Sequence, residues 1–524
     1  MDCIRRMSAS VIAGALAACF SLHAAPLSCN ATVGNLPLLR DTGLTEPLAD
    51  YVIVCSGGTP TPANSIVPSV NIYLFLNTNL TSHVTADSLF SEALLLVDEP
   101  NTLVHSPQRP VLNCGASGAP DGPSVSGPGI CEIISTGNPA QTYDGTPSVR
   151  GTTPCAATTA VALFGCGRPN AFQGRLGPGG PNVITFAGVP FDPPGAGIRI
   201  LRITNLRANA AILGVGVNVQ SLIDITGSAF TPVTNPIQPL GFVEPGLFGS
   251  ISSPGVIRVT EGFSNAWKDR NAAFTAGNFN TSEPGNAIYT PPWTYDGGTN
   301  YPTQVAQNVP GSIYNTEDMF QWQPPAANGP PNPNPPLSFG TGPVVNLGNP
   351  LDSTGAGGVN TQISEDGVSS QGTRIALQFS GVPKGEQVVC RTVVPAQTVS
   401  SPASGVLVMT TTDANGAGPF TRVTGAVGTS NAAANLVVYE VLWADPFEIE
   451  DADIQCYLAE PGAVVSPATV TVIPTYAPFY STASAGRPTP TTTDPTPTAL
   501  PRFGPSTKSI MVTLGAYVAV TNVP

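Results

Sequence analysis

Charge is scarce in this chain, and positive charge is scarcer still. Charged residues make up 10% of its 524 residues, well below the roughly 25% of an average soluble domain. Lysine occurs only at Lys268, Lys384 and Lys508, and 20 basic residues stand against 33 acidic ones, which gives a net charge of −13. A surface of that sign repels phosphate groups, so the composition argues against nucleic acid and anionic lipid as partners.

Motifs with a known chemical mechanism are also lacking. The sequence contains no G-x-S-x-G nucleophile elbow, no P-loop, no H-E-x-x-H and no G-x-G-x-x-G. Beyond residue 24, histidine occurs only at His83 and His105, so a Ser-His-Asp triad would have to use one of these two. Glycoside hydrolysis by two carboxylates stays open, because its catalytic pair is defined in space rather than by a motif. The sequence favours a protein that is not an enzyme.

Long apolar runs are confined to the beginning of the chain. No later run reaches the length of about 18 residues that a membrane-spanning helix needs. Residues 1–24 predict a secretory signal peptide, with Arg5 and Arg6 before an apolar stretch and a cleavage site after Ala24. In an alternative interpretation the segment is a lipobox and Cys19 carries a lipid anchor. Both interpretations predict an exported protein, secreted or held at the cell surface.

Cysteine is present in a number that suits disulfide bonding. No C-x-x-C occurs, and histidine is too rare to complete the usual zinc sites, so oxidised pairs are favoured over a metal centre. Eight cysteines allow on the order of 100 pairings, and proximity in the sequence suggests 29–55, 114–131, 155–166 and 390–456. The eight that follow the leader are Cys29, Cys55, Cys114, Cys131, Cys155, Cys166, Cys390 and Cys456.

Strand-like runs separated by Gly and Pro dominate the remaining sequence. Residues 70–76 alternate between apolar side chains and others, as strands of a β-sandwich do. A similar alternation at Val215, Val217 and Val219 predicts another strand. Residues 261–270 could form one or two turns of helix. The pattern predicts an all-β fold.

Two disulfide-stapled, β-sandwich-like domains are expected, at residues 25–252 and 253–524. A short repeat supports the use of one kind of module twice, because ITFAGVP at 184–190 has a counterpart in LQFSGVP at 377–383. In each copy the strand is expected to end at the Gly and Pro.

Irregular segments interrupt both predicted domains. Residues 115–170 are rich in Gly, Pro and Ser and are bracketed by cysteines, residues 284–350 are rich in aromatics and Pro, and a Thr/Pro linker at 487–501 precedes a closing strand. Aromatic faces in the second segment could stack on sugar rings or on a partner protein, although burial against the domain's own sheet is the alternative. The aromatic residues concerned are Tyr289, Trp293, Tyr295 and Tyr301.

An acidic cluster is the one candidate for a metal site. Glu448, Glu450, Asp451 and Asp453 lie close together in the sequence, and carboxylate oxygens are the ligands that Ca²⁺ prefers. The cluster lacks the D-x-[DN]-x-[DN]-G loop, so a solvated acidic strand edge is the competing interpretation. No other cofactor is expected.

Three sequence blocks resemble an uncharacterised family of exported, β-rich proteins from soil-bacterial genomes. They are TGLTEPLADYVIVCSGG at 42–58, GVPFDPPGAGIRILRITNLRANA at 188–210 and PGSIYNTE at 310–317. The resemblance implies a bacterial, exported and β-rich protein, and it assigns a role to no residue.

The predicted function follows from the expected export of the protein and from its expected all-β, disulfide-bonded fold. We expect an exported, non-catalytic structural or adhesive protein of the cell surface or extracellular matrix, with surface proteins, matrix proteins or polysaccharide as partners. The second hypothesis is a carbohydrate-binding protein that uses the aromatic segment, and the third is a carboxylate-based glycoside hydrolase.

Overall fold

The computed structural model describes residues 25–82, 91, 93–100, 109, 114, 130–146, 167–177, 179–227, 233–268, 372–417, 421–429, 435–460, 465–479 and 502–517. Regular structure in these ranges is β-sheet, apart from one 3-10 turn at Pro139–Gln141. The predicted all-β fold class is therefore confirmed. None of the helical structure in these ranges is long and apolar enough to cross a membrane.

The N-terminal strands form two facing sheets and a short two-stranded ribbon. They are β1 (Ser28–Val33), β2 (Leu38–Arg40), β3 (Glu46–Pro47), β4 (Tyr51–Gly57), β5 (Ser69–Leu76), β6 (Leu94–Val97), β7 (Ala171–Gln173), β8 (Arg175–Gly177), β9 (Gly180–Pro190), β10 (Gly195–Thr204), β11 (Arg207–Ala208), β12 (Asn218–Thr226) and β13 (Ile237–Glu244). One sheet has the order β1-β4-β10-β6-β7, the other β2-β13-β12-β5-β9-β8, and β3 pairs with β11.

The core of this half lies between the two sheets. In β4, alternate residues are buried, among them Tyr51 and Ile53, and in β5 the same holds for Ile72 and Leu74. These side chains belong to one continuous apolar cluster. Alternation with a period of two places one face of each strand in the core, which is the sandwich arrangement that the sequence pattern predicts.

The C-terminal strands form one further, larger sheet. They are β14 (Leu247–Ser253), β15 (Val256–Glu261), β16 (Arg374–Ser380), β17 (Gln387–Arg391), β18 (Val393–Gln397), β19 (Gly405–Thr410), β20 (Val427–Thr429), β21 (Leu436–Trp443), β22 (Asp451–Ala459), β23 (Ala468–Ala477) and β24 (Ile510–Ala516). The main path runs β14-β15-β22-β18-β19-β21-β16-β23-β24.

This sheet closes on itself. Tyr457 and Leu458 of β22 pair in parallel with Gly515 and Ala516 of β24, which joins the end of the path to its third strand. The inward residues of β22, such as Ile454 and Leu458, belong to a second apolar cluster that includes no residue of the first. Closure satisfies backbone groups that an open sheet would leave at its edges.

The change from one set of sheets to the other occurs between Glu244, the last residue of β13, and Leu247, the first of β14. β14 therefore pairs within the C-terminal sheet. The domain boundary expected at 252/253 stays a prediction. The strand pairing changes from the N-terminal to the C-terminal sheets a few residues before that position.

The two copies of the sequence repeat share one backbone feature. Gly188 in β9 has φ +63° and Gly381, directly after β16, has φ +76°, a conformation that residues other than glycine rarely adopt. At Gly188 the pairing with β5 shifts register and the strand continues to Pro190, whereas the second copy ends before Gly381. The repeat thus marks a bulge in one sheet and a strand end in the other.

Three disulfide bonds join Cys29 to Cys55, Cys114 to Cys131, and Cys390 to Cys456. These are three of the four pairs that proximity suggests; Cys155 and Cys166 lie outside the described residues. The first pair is directly in register between β1 and β4, and the third between β17 and β22. Each of these two bonds therefore fixes the register of two neighbouring strands in the core.

Replacing Cys390 and Cys456 together by alanine is expected to lower the free energy of unfolding by about 2–4 kcal/mol, mostly by freeing the unfolded chain. The same change at Cys29 and Cys55 opens a span of 26 residues instead of 66 and is expected to cost about 0.8 kcal/mol less. Urea unfolding of both double variants measures the difference. Equal losses, or a larger loss at Cys29 and Cys55, would contradict the loop-length explanation.

Candidate functional site: a cleft between the two cores

A cleft of about 890 Å³ opens where the N-terminal and C-terminal cores meet. Its walls come from parts of residues 32–40, 46–52, 202–206 and 263–268, together with Pro446. The volume falls within the range of about 300–1,000 Å³ that small-molecule sites occupy. We call it the junction cleft.

One wall is the outer face of the sheet that contains β4 and β10. Arg202 lies opposite Val52 in this antiparallel pair, and its neighbours Leu201 and Ile203 point into the core. Asp50 immediately precedes β4, so it lies beside Arg202 on the outer face. Strand alternation therefore turns Arg202 of β10 toward the cleft, and Asp50 lines the cleft beside it at the start of β4.

Arg202 is held by two carboxylates. Its Nη1 donates to Oδ2 of Asp50 over 3.1 Å, and its Nε donates to both oxygens of Glu99 over 3.0 and 3.1 Å. Nη2 also donates to Glu99. The side chains of Arg202 and Asp50 are still 22% and 30% exposed, so this fixed pair presents both donors and acceptors to the cleft.

The floor of the cleft contains a buried ion pair that joins the two cores. Arg40 donates from Nε and Nη2 to Oε1 of Glu46 over 3.1 and 2.7 Å, and from Nη1 to the carbonyl of Ala266 over 3.1 Å. Its guanidinium lies 5.3 Å from the ring centre of Tyr476 and 4.7 Å from that of Phe503. Arg40 and Glu46 are N-terminal residues and the other three are C-terminal, so one guanidinium contacts both halves.

Backbone hydrogen bonds reinforce this junction. The amide of Leu44 donates to the carbonyl of Arg502 over 2.7 Å, and the amide of Gly504 donates to the carbonyl of Thr42 over 2.7 Å. The hydroxyl of Tyr476 donates to the carbonyl of Gly246. The relative position of the cleft walls is thus set by several bonds around Arg40.

The opposite wall, residues 263–268, follows β15 as an irregular turn. The helical turn expected over 261–270 is wrong for the described part of that range, which has no helix. Oε1 of Glu261 accepts a hydrogen bond from the amide of Trp267 over 2.7 Å, and Asn265 has φ +66°. In this segment a side-chain acceptor and a residue in the left-handed conformation take the place of the backbone hydrogen bonds of a helix.

The wall is also tied to the beginning of β16. The amide of Lys268 donates to Oγ1 of Thr373 over 2.7 Å, and the amide of Thr373 donates back to the carbonyl of Lys268 over 2.7 Å. The chain therefore leaves and re-enters the described structure at one point on the cleft rim.

Glu261 is a buried carboxyl group next to Glu450. Burial, with the negative charge of Glu450, raises the pKa of Glu261 to about 8. The amide of Glu450 donates to Oε2 of Glu261 over 3.3 Å, and both side chains are buried. This carboxyl pair is not placed to meet a polymeric substrate, so it lends no support to the glycoside hydrolase hypothesis.

The acidic cluster is divided by its strand. Asp451 and Asp453 project from one face of β22, where Oγ1 of Thr260 donates to Asp451 over 2.5 Å and Arg258 donates to both oxygens of Asp453 over 2.8 and 2.7 Å. Glu450 is buried, whereas Glu448 is half-buried. Within the described ranges, no three His, Cys, Asp or Glu side chains are grouped closely enough to hold a metal ion.

The predicted aromatic site, Tyr289, Trp293, Tyr295 and Tyr301, lies outside the described residues, as do His83, His105, Cys19 and most of the 115–170 segment. The proposal that the aromatic residues bind sugar stays a prediction.

Sequence reasoning missed the junction cleft. No pattern along the chain marks it, because Asp50 and Arg202 lie far apart in the sequence and meet only through strand pairing.

Comparison with known proteins adds little to this geometry. No family model matches the chain, and no curated protein matches it. The chain is similar to a solved structure of the C-terminal domain of the AgI/II polypeptide BspA from Streptococcus agalactiae, wild type, at 6% identity and a TM-score of 0.22, covering 86% of this chain and 96% of that one. A structure titled BspA_C_mut is similar at 7% identity and a TM-score of 0.23, covering 87% and 96%. At these TM-scores the likeness carries no conclusion.

Replacing Arg40 by alanine is expected to lower the free energy of unfolding by about 3–5 kcal/mol, because Glu46 is then left buried without its counter-charge. The control is Arg258→Ala, which removes the partly exposed pair with Asp453 and is expected to cost about 1 kcal/mol or less. Denaturant unfolding of both variants measures the two losses. Similar losses would show that Arg40 does not hold the junction.

Glu261 is expected to make stability fall as pH rises. Its pKa is raised from 4.5 to about 8, so between these values the folded protein holds a proton that the unfolded chain has lost. The contribution is complete below pH 4.5, decreases by about 1.4 kcal/mol per pH unit above it, and is lost beyond about pH 8.

Glu261→Gln keeps an acceptor for the Trp267 amide and cannot ionise. The stability difference between the natural protein and this variant, measured by urea unfolding from pH 5 to 8, is therefore expected to shift in favour of the variant. A difference that is constant with pH would rule out this titration.

Proposed function

We propose that this chain is an exported, non-catalytic structural or adhesive protein of the cell surface or extracellular matrix. The observation that carries the proposal is the disulfide framework. Two of the bonds join residues directly opposite each other on neighbouring core strands. Such bonds persist in oxidising compartments outside the cytosol.

The use of charge supports a structural role. Arg40 with Glu46, Arg199 with Asp98, and Arg374 with Glu440 form ion pairs in which both partners are buried. The guanidinium of Arg199 also lies 4.4 Å from the ring centre of Tyr143. In a chain with so few charges, these groups are used inside the fold, where the loss of one partner of a pair is strongly destabilising.

An exposed apolar tip supports adhesion. Val399 and Phe447 lie on two loops of the C-terminal sheet, and Ile449 follows Phe447 closely; all three are exposed, Phe447 by 81%. Oγ of Ser400 donates to Oε2 of Glu448 over 2.6 Å and joins the two loops. Hydrogen bonds from Ser400 and Thr398 lower the pKa of Glu448. Exposed apolar side chains on two joined loops are a candidate surface for contact with another protein.

The proposal predicts that the native protein resides outside the cytoplasm with its cysteines oxidised. Antibody detection in separated medium, intact cells and extracellular matrix locates it. Because these cysteines are buried, thiol labelling is done on the protein unfolded in denaturant without reductant, and it is expected to leave Cys29, Cys55, Cys390 and Cys456 unmodified. Cytosolic protein with reactive thiols at these positions would contradict export.

The adhesive part has its own test in the same system. Beads coated with the protein are expected to bind the producing cells or their matrix, and Val399→Ser with Phe447→Ser is expected to reduce binding without changing the melting temperature. Met511→Ser is the control, because Met511 is 75% exposed on β24. If the natural protein and both variants bind equally, or if none of them binds, the adhesive role is ruled out and only the structural role remains.

A further inference from the structure

We infer that the junction cleft binds a neutral saccharide. This goes beyond the proposed function, because binding by the cleft does not depend on where the protein resides. The inference is also separate from the aromatic segment at 284–350, since the cleft walls are all described residues.

The polar side of the cleft matches the chemistry of sugar hydroxyls. A hydroxyl both donates and accepts, and Asp50 and Arg202 present an acceptor and donors side by side. The hydrogen bonds of Arg202 to Asp50 and Glu99 use only part of the N–H donors of its guanidinium. Hydrogen bonds to ionised groups are also stronger than those between neutral groups.

The charges around the cleft are mostly paired with each other, which favours a neutral ligand. Among the lining residues, Arg40 is paired with Glu46, and Arg202 is paired with Asp50 and with Glu99, which lies outside the lining; Lys268 adds one further positive charge. An ionic ligand would have to compete with these pairs for a counter-charge. A polyhydroxylated neutral ligand can use both kinds of side chain without desolvating a net charge of its own.

Part of the lining of the cleft is apolar. Leu38 lines it and is 43% exposed, and Val33, Phe263 and Pro446 lie around the same space. Sugar rings have faces of C–H groups that lose contact with water when they pack on such side chains. A binding site of mostly apolar lining with a few fixed polar groups is the usual form of small-ligand sites.

The walls are held before any ligand arrives. The Arg40–Glu46 pair reaches the carbonyl of Ala266 in the opposite wall, and Glu261 fixes the amide of Trp267 in the same turn. A site whose side chains are already ordered avoids the entropic loss of ordering them on binding.

The test is calorimetric titration of the full purified chain with dextran, xylan and a soluble β-1,3-glucan, with polygalacturonate and polylysine as charged probes. At least one neutral polysaccharide is expected to bind. Asp50→Asn and Leu38→Ala are each expected to weaken that binding, Asp50→Asn by about tenfold or more. Matched controls are Asp224→Asn and Ile237→Ala, both exposed and outside the cleft, which are expected to bind like the natural protein.

Melting temperatures show that the variants are folded. The variant Trp293→Ala distinguishes binding by the cleft from binding by the aromatic segment. The inference is overturned if no neutral polysaccharide binds or if only a charged probe binds. It is equally overturned if folded Asp50→Asn and Leu38→Ala bind normally, or if Trp293→Ala alone removes binding.

Discussion

The buried guanidinium of Arg40 contacts both the N-terminal and the C-terminal half of this protein. Glu46 balances its charge, the carbonyl of Ala266 accepts from it, and the rings of Tyr476 and Phe503 lie against its faces. Arginine suits this position because its planar group pairs with a carboxylate and stacks on aromatic rings at the same time. The shape of the junction cleft follows from this contact, since Arg40 fixes the floor and reaches one wall.

The cleft and the apolar tip lie on a common loop. Pro446 lines the cleft, while Phe447 and Ile449 are exposed beyond it. The loop is held on one side by the bond between Ser400 and Glu448, and on the other the amide of Glu261 donates to the carbonyl of Glu450 over 2.8 Å. A surface that contacts a partner and a cleft that holds a sugar would therefore be presented side by side on one rigid element.

The sequence predicted best what depends on neighbours along the chain. Alternation in 70–76 gave β5, and nearby cysteines suggested the pairs that the structure contains. The strand predicted from Val215 onward begins only at Asn218, the first residue of β12. The backbone conformation overrides the alternating pattern there, because Gly214 and Gly216 have φ +82° and +83°. The cleft could not be predicted, because Asp50 and Arg202 meet only through the pairing of β4 with β10. The closure of the C-terminal sheet could not be predicted either, because the parallel contact of β22 with β24 has no local signal in the sequence.

The pair of hydrogen bonds between Lys268 and Thr373 has a consequence for how such a protein can change during evolution. Lys268 and Thr373 lie side by side at the rim of the cleft, so a sequence that joins them spans no distance along the sheet. For a flexible chain, each doubling of length between two fixed ends costs only about 0.6 kcal/mol. The scaffold can therefore accept new sequence at the rim of its cleft at little expense to its stability.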